Sequence, residues 1–180
     1  MCFSQCLHLD ISEDILHQAT IDEKNVKSQK GNNNYSTIRM TTNNDYVGSI
    51  AQNIVFKYFD DIGIAIEKTA YFDKLIHKDL CDFEYRGRND IKGSPTNGKW
   101  NEVYSNTSFL LSDHQMGKKV DWYTFVRVDL DHNIAHIAGV ISYKDFFEKS
   151  EEMKSDRIKS PCHFITAKHL KPFRDYVYAV

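Results

Sequence analysis

Hydrophobic and polar positions divide this chain into segments of different period. Between Tyr46 and Ile62 the apolar residues Ile50, Ala51, Ile54, Val55, Tyr58, Phe59 and Ile62 fall on one broad stripe of a 3.6-residue repeat, which predicts a helix. Gly63 follows its last periodic residue and suits the left-handed position that closes a helix. An earlier helix is expected from Ser12, a capping residue, to about Ser28, with Ile11, Ile15 and Ala19 on one face. The polar stretch from Ser28 to Asp45 reads as a loop with a short extended piece at Tyr35–Met40.

The middle of the chain changes period. Ile64–Glu67 reads as a short strand. Leu80–Tyr85 and Asn89–Gly93 read as a hairpin joined by Arg86-Gly87-Arg88. Gly93 to Asn101, with Pro95 and Gly98, is expected to be a mobile loop, and Asn106–Leu111 a further strand. Val120–Leu130 and Ile134–Ile141 are the strongest strand pair, joined by Asp131-His132-Asn133; their near-continuous apolarity predicts cover on both faces. Ser142 opens a Ser-Tyr-Lys-Asp pattern that predicts a capped helix through about Met153. A strand at Cys162–Thr166 and a helical turn at Ala167–Leu170, closed by Pro172, complete the order. Helix, helix, several strands, helix, strand is the order of an α/β protein with a mixed central β-sheet flanked by helices.

Composition narrows the classes. The 180 residues suit a single domain over 1–180, with residues 1–45 as an N-terminal helix and loop extension. Hydrophobic residues at 41% and charged residues at 27% are the balance of a globular chain rather than a disordered one. A net charge of −2 means that any nucleic-acid site is a local basic patch. No apolar run is long enough to span a bilayer, and Met1 to Asp10 lacks the order of a secretory signal. Cys2, Cys6, Cys81 and Cys162 have no C-x-x-C spacing and read as free thiols. The expectation is a cytoplasmic protein, without a membrane partner.

One segment carries chemistry: Asp82-Phe-Glu-Tyr-Arg-Gly-Arg-Asn-Asp90-Ile-Lys92. Phosphodiester hydrolysis needs a cation against developing charge, an activated water and fixed geometry. Magnesium takes one or two carboxylates together with waters and phosphate oxygens. Asp82 and Asp90, on adjacent strands of one hairpin, offer that set, and the carbonyl of Ile91 can add an oxygen. Asp90 and Lys92 are two apart and share a strand face, while Ile91 points the other way into apolar packing. The Lys92 ammonium can then polarise water or hold a phosphate oxygen. Two other acid-x-Lys triplets, Asp22-Glu-Lys24 and Glu152-Met-Lys154, lie in polar, helix-like stretches without a partner strand.

With these residues in view, the chain resembles the PD-(D/E)XK, or restriction-endonuclease-like, nuclease superfamily, especially its small phage-type members. The resemblance runs from about Ile11 to Pro172. It rests on Gly48-Ser-Ile-Ala-Gln52, Asp82, Gly87-Arg88, Asp90-Ile-Lys92-Gly-Ser, Val120-Asp-Trp-Tyr-Thr-Phe-Val-Arg-Val, Ala138-Gly-Val-Ile-Ser and Leu170-Lys-Pro. It implies a restriction-endonuclease-like core, ligand roles for Asp82 and Asp90 toward Mg²⁺ or Mn²⁺, and a water- or phosphate-binding role for Lys92. Three departures stand out: Gln52 occupies the place of a helix glutamate, Asp90 that of the commoner glutamate, and Cys81 that of the proline before Asp82.

Other residues flank this cluster. Asp79 is the rival to Asp82; Glu84, Ser94 and Gln115 are accessory candidates beside Gln52; His77 is a candidate base. Arg86, Arg88, Lys99, Lys118 and Lys119 are candidate contacts to DNA phosphates, each with a solvated surface as its plain reading. His132 and His136 fall in a turn and a strand and do not predict a zinc pair; Trp122, Tyr123 and Phe125 read as strand core before they read as base-stacking groups. The expected function is a metal-dependent DNA nuclease of a bacterial or phage-infected cell, with a homodimer left open. The alternatives are an inactive nuclease fold that binds nucleic acid or protein, and a phage accessory protein.

Overall fold

A computed structural model describes residues 5–30, 44–69, 81–96, 103–116, 120–153 and 161–179. Nine strands and five helices follow in the order β1 (Leu7–Asp10), α1 (Glu13–Lys30), α2 (Asn44–Asp61), β2 (Glu67–Lys68), β3 (Phe83–Glu84), β4 (Arg88–Pro95), β5 (Ser108–Ser112), α3 (Asp113–Met116), β6 (Trp122–Asp129), β7 (Ile134–Ser142), α4 (Tyr143–Lys149), β8 (Glu151–Met153), β9 (Cys162–Thr166) and α5 (Phe173–Tyr178) among the described residues. Six of the strands form a mixed sheet in the order β1-β7-β6-β4-β3-β2. All neighbours in it are antiparallel except β4 and β6, which run parallel. The other three form an antiparallel sheet, β5-β9-β8. The expected α/β fold, a mixed central sheet flanked by helices, is present.

Side-chain alternation explains the layers. In β6, Val126 and Val128 join the core under α1, α2 and α5, whereas Tyr123 and Phe125 join the core that contains Phe109, Leu111 and Ile165 of the smaller sheet and Phe146 of α4. Both faces of β6 and β7 are therefore covered, as their apolarity predicts. Each fully buried Leu, Ile or Phe contributes about 1.5–3 kcal/mol relative to exposure, so these two cores hold the central sheet in place. The α2 stripe is buried as predicted, with Ile50, Ile54, Val55 and Phe59 all nearly inaccessible. Gly63 follows at φ +70°, and the N–H of Ile64 returns to the Phe59 carbonyl at 3.0 Å. Ser142 caps α4 as expected, accepting from the Asp145 N–H at 3.0 Å.

Several boundaries differ from the sequence reading. The helix expected through Met153 stops at Lys149, because Glu151–Met153 pairs with β9 as β8. Gly93 does not begin a loop: β4 continues to Pro95, since β6 supplies a parallel partner up to Val128. The first hairpin strand is only Phe83–Glu84, and the strand expected at Ile64–Glu67 is the two-residue β2. β1, inside the segment expected to precede the core, pairs with β7 at the sheet edge, and α5 lies beyond the Pro172 stop. The extended piece expected at Tyr35–Met40 lies outside the described residues.

Two glycines are required by close approach. A Cβ on Gly93 would sit 2.8 Å from both the Ala51 Cβ and the Val47 carbonyl, so α2 lies directly on β4 there. Gly139, at φ +144°, sits beside the register shift between β6 and β7, and a Cβ on it would sit 2.5 Å from the Lys171 carbonyl. The Lys171 backbone pairs with Val140 at this point.

Candidate functional site

The site is assembled on β4 and its neighbours. The β3–β4 turn places Arg86 and Gly87 at positive φ, and Asn89 locks it by donating to the carbonyls of Tyr85 at 2.8 Å and Gly87 at 2.9 Å. Asn89 is fully buried, and its Oδ1 accepts from the Tyr176 hydroxyl at 2.9 Å. The sequence reading gave Asn89 no role. It fixes the turn from which the candidate residues project.

Phe83 pairs with Asn89 and Glu84 with Arg88, and Asp82 stands just before this short strand. The Asp82 N–H donates to the Asn89 carbonyl at 2.7 Å. The Asp82 carboxylate accepts from the Ile91 N–H at 2.5 Å and from the Gln52 amide of α2 at 3.3 Å. Gln52 thus reaches the cluster from the core helix, as expected of that position. Lys92 Nζ lies 2.5 Å from Asp90 Oδ2, so the two share a face of β4. Ile91 is buried in the opposite core, beside α2.

Burial corrects one expectation. A hydrolytic role for Asp90 and Lys92 predicts an open cleft around both side chains. Asp90 is 1% exposed, and the Lys92 side chain keeps only 13% of its accessibility. Register sets Asp90 beside Tyr123 and Lys92 beside Phe125, under the smaller sheet. Tyr123 responds to this setting: burial first, then the Asp90 charge and Tyr143, hold its hydroxyl well above the ordinary tyrosine value. Cys81, next to Asp82, is pushed up chiefly by burial, with Thr69 hydrogen bonding opposing and the Glu84 and Asp82 charges adding to the rise. A neutral thiol there is a packing group rather than a nucleophile.

The accessory candidates divide. Ser94 is on the same side of β4 as Asp90 and Lys92, and its Oγ accepts from Arg127 at 3.1 Å. Glu84 is exposed on β3. Gln115 is tied to its own turn, its Oε1 accepting from the Ser112 N–H at 3.0 Å. Arg86 donates to the Ala179 carbonyl and lies over the Tyr85 ring at 5.5 Å. Arg88 faces Asp121, 3.8 Å from its carboxylate. Asp79, His77, Lys99, Lys118 and Lys119 lie outside the described residues. His132 engages Asp129 at 2.8 Å and His136 engages His8 at 2.6 Å.

A groove of about 770 Å³ opens between α1 and α2, with Gln18, Asp22, Gln52 and Asn53 in its wall. Asp22 is satisfied there by Ser49 at 2.5 Å, Gln18 at 2.8 Å and Asn53 at 3.3 Å. Gln52 is the residue that this groove and the Asp82 cluster have in common.

The donor types beside β3 and on β4 are those a hard divalent cation takes: the Asp82 and Asp90 carboxylates and the backbone carbonyl of Ile91, between Asp90 and Lys92. Among the described residues no group of three or more His, Cys, Asp or Glu side chains converges as a protein-only cage. Magnesium does not require such a cage, because it retains waters and takes phosphate oxygens. No protein-family model, curated protein or solved structure matches the chain.

Proposed function

We propose that the chain is a magnesium- or manganese-dependent nuclease with a restriction-endonuclease-like core, hydrolysing phosphodiester bonds in DNA. The observation that supports this reading is that Asp82 is fastened to the Ile91 N–H and to Gln52 of α2, next to the Asp90–Lys92 pair on the same stretch of β4. The antiparallel run β2-β3-β4, followed by the parallel neighbour β6, suits the same core.

In this reading Asp82, Asp90 and the Ile91 carbonyl hold the divalent ion. When bound, the ion supplies charge neutralisation and a more acidic water. Ile91 N–H and Gln52 orient the Asp82 carboxylate, so it need not reorganise during the reaction. Lys92 is paired with Asp90, and its ammonium would meet the charge that grows on a phosphate oxygen. The apolar walls of Tyr123 and Phe125 keep water from screening that charge.

A second reading is a nuclease fold without catalysis that binds nucleic acid or protein. Gln52, neutral where a carboxylate would add charge, and the depth of Asp90 favour it. Plasmid, linear and single-stranded DNA incubated with the protein in magnesium, in manganese and in chelator separates the two. The nuclease reading expects cutting that chelator abolishes; a protein that binds DNA but cuts no form under any ion belongs to the second.

A further inference from the structure

Arg127 is a cation that the nuclease chemistry above does not use. It lies on β6, opposite Ser94 of β4 and His136 of β7, and His136 in turn faces His8 of β1. One row across the central sheet therefore carries Ser94, Arg127, His136 and His8. Alternation sets Arg127 on the face of Tyr123 and Phe125, which is also the face of Asp90 and Lys92.

The surroundings of Arg127 are unusual for a charge. Its Nη1 donates to Ser94 Oγ at 3.1 Å, and its guanidinium carbon lies 5.9 Å from the Phe109 ring centroid. Its Nε is buried without a hydrogen-bond acceptor, and among the described residues no carboxylate pairs with it. Removal from water pulls its pKa below the ordinary arginine value. A guanidinium still does not lose its proton, so the desolvation of this cation is only partly offset by Ser94 and the Phe109 ring. The histidines of the row bring no negative charge; His8 and His136 are joined to each other through their Nδ1 atoms at 2.6 Å.

We propose that Arg127 and Ser94 form a seat for a backbone phosphate of the DNA, beside the phosphate position at Lys92. The proposal rests on the nuclease reading and names how that substrate is held. Ser94 stands two residues beyond Lys92, about 6.6 Å along the strand, far enough to take a different phosphate of the same strand. The serine hydroxyl supplies a directional donor, and the outer nitrogens of the planar guanidinium, which are not buried as Nε is, suit the oxygens of one phosphate. A bound phosphate would supply the counter-charge that the fold withholds.

The test is anisotropy titration of a labelled short duplex and of its single strand, in chelator so that neither is cut, over a range of salt. Arg127→Met should weaken binding about tenfold and reduce the salt slope by about one, the signature of one lost phosphate contact. Its melting temperature should be no lower than that of the wild type, because the variant removes a partly buried cation with which no carboxylate pairs among the described residues. Arg127→Lys keeps the charge but not the fork, so its affinity should fall between the two with the slope retained; it decides the matter if Arg127→Met does not fold. Unchanged affinity and slope in either folded variant overturns the seat. A lowered melting temperature with unchanged binding does so too, and assigns Arg127 to packing. If both variants bind normally while the wild type cuts DNA in magnesium, only the seat fails; if the wild type binds neither DNA form, the seat and the nuclease reading fail together.

Discussion

Alternate residues of β4 meet opposite environments. On one side Ile91 and Gly93 lie against α2, with Gly93 so close that a Cβ would collide with Ala51 and the Val47 carbonyl. On the other side Asp90, Lys92 and Ser94 form a polar line beneath the smaller sheet, amid Tyr123, Phe125 and Phe109. The first side is assembled by apolar burial and close approach, which stabilise without qualification. The second buries an ion pair, an unpaired guanidinium nitrogen and a tyrosine hydroxyl without a partner, which burial alone does not favour. One strand thus anchors the fold with one face and carries its candidate chemistry on the other.

Substitutions can break this contrast. The largest expected effect is on the helix side: Phe59→Ala, which removes a fully buried ring packed against Phe83, Tyr85 and Phe173, should cost about 3–5 kcal/mol in denaturant unfolding. On the polar side, Asp90→Ala should cost about 3 kcal/mol by stranding Lys92, at the low end because that lysine retains some exposure. The double variant Asp90→Leu/Lys92→Met should recover most of that loss. If it remains as unstable as the single variant, the polar side is needed for folding and the contrast fails. Gly93→Ala should cost about 1–3 kcal/mol from overpacking on α2, read as a lower unfolding midpoint with the slope unchanged.

The two buried tyrosines give the finest comparison. The Tyr176 hydroxyl is shared between the Tyr85 carbonyl at 2.5 Å and Asn89 Oδ1 at 2.9 Å, whereas the buried Tyr123 hydroxyl has no acceptor. Tyr176→Phe should therefore lose about 1 kcal/mol, and Tyr123→Phe should lose nothing at neutral pH. Burial raises both hydroxyls above their ordinary value of 10.0. A raised folded-state value means that the contribution is full below the unfolded value and is lost as pH climbs past it. Stability should therefore decline above about pH 10, and less steeply in either phenylalanine variant. A pH series of thermal melts in which the three proteins decline in parallel would contradict this.

What the sequence made visible follows the same division. The α2 stripe, the β6–β7 pair and the shared face of Asp90 and Lys92 are local periodicities, and local periodicity survives folding. β8 depends on pairing with β9 across the intervening chain, so Glu151–Met153 could only be read as a continuation of α4. β1 is four residues of alternating Leu and polar side chains, too short to distinguish from a terminus until β7 pairs with it. The roles of Asn89 and Arg127 are not legible in the sequence for a related reason. A polar residue inside a strand looks solvent-facing by pattern, and only the layers around the sheet show which face has been closed. The depth of Asp90 was hidden in the same way.

The central claim is that the cluster on β4 hydrolyses DNA with a divalent ion, and one measurement addresses it most directly: single-turnover cleavage of end-labelled DNA in magnesium by the wild type and by Lys92→Ala, with folding of both checked by thermal melts. The wild type should cut, chelator should stop it, and Lys92→Ala should bind the ion yet cut slower by a factor on the order of 10²–10³, the typical loss for one electrostatic contact to the transition state. A folded wild type that cuts no DNA in magnesium or manganese, or a Lys92→Ala variant that cuts at the wild-type rate, would contradict the account.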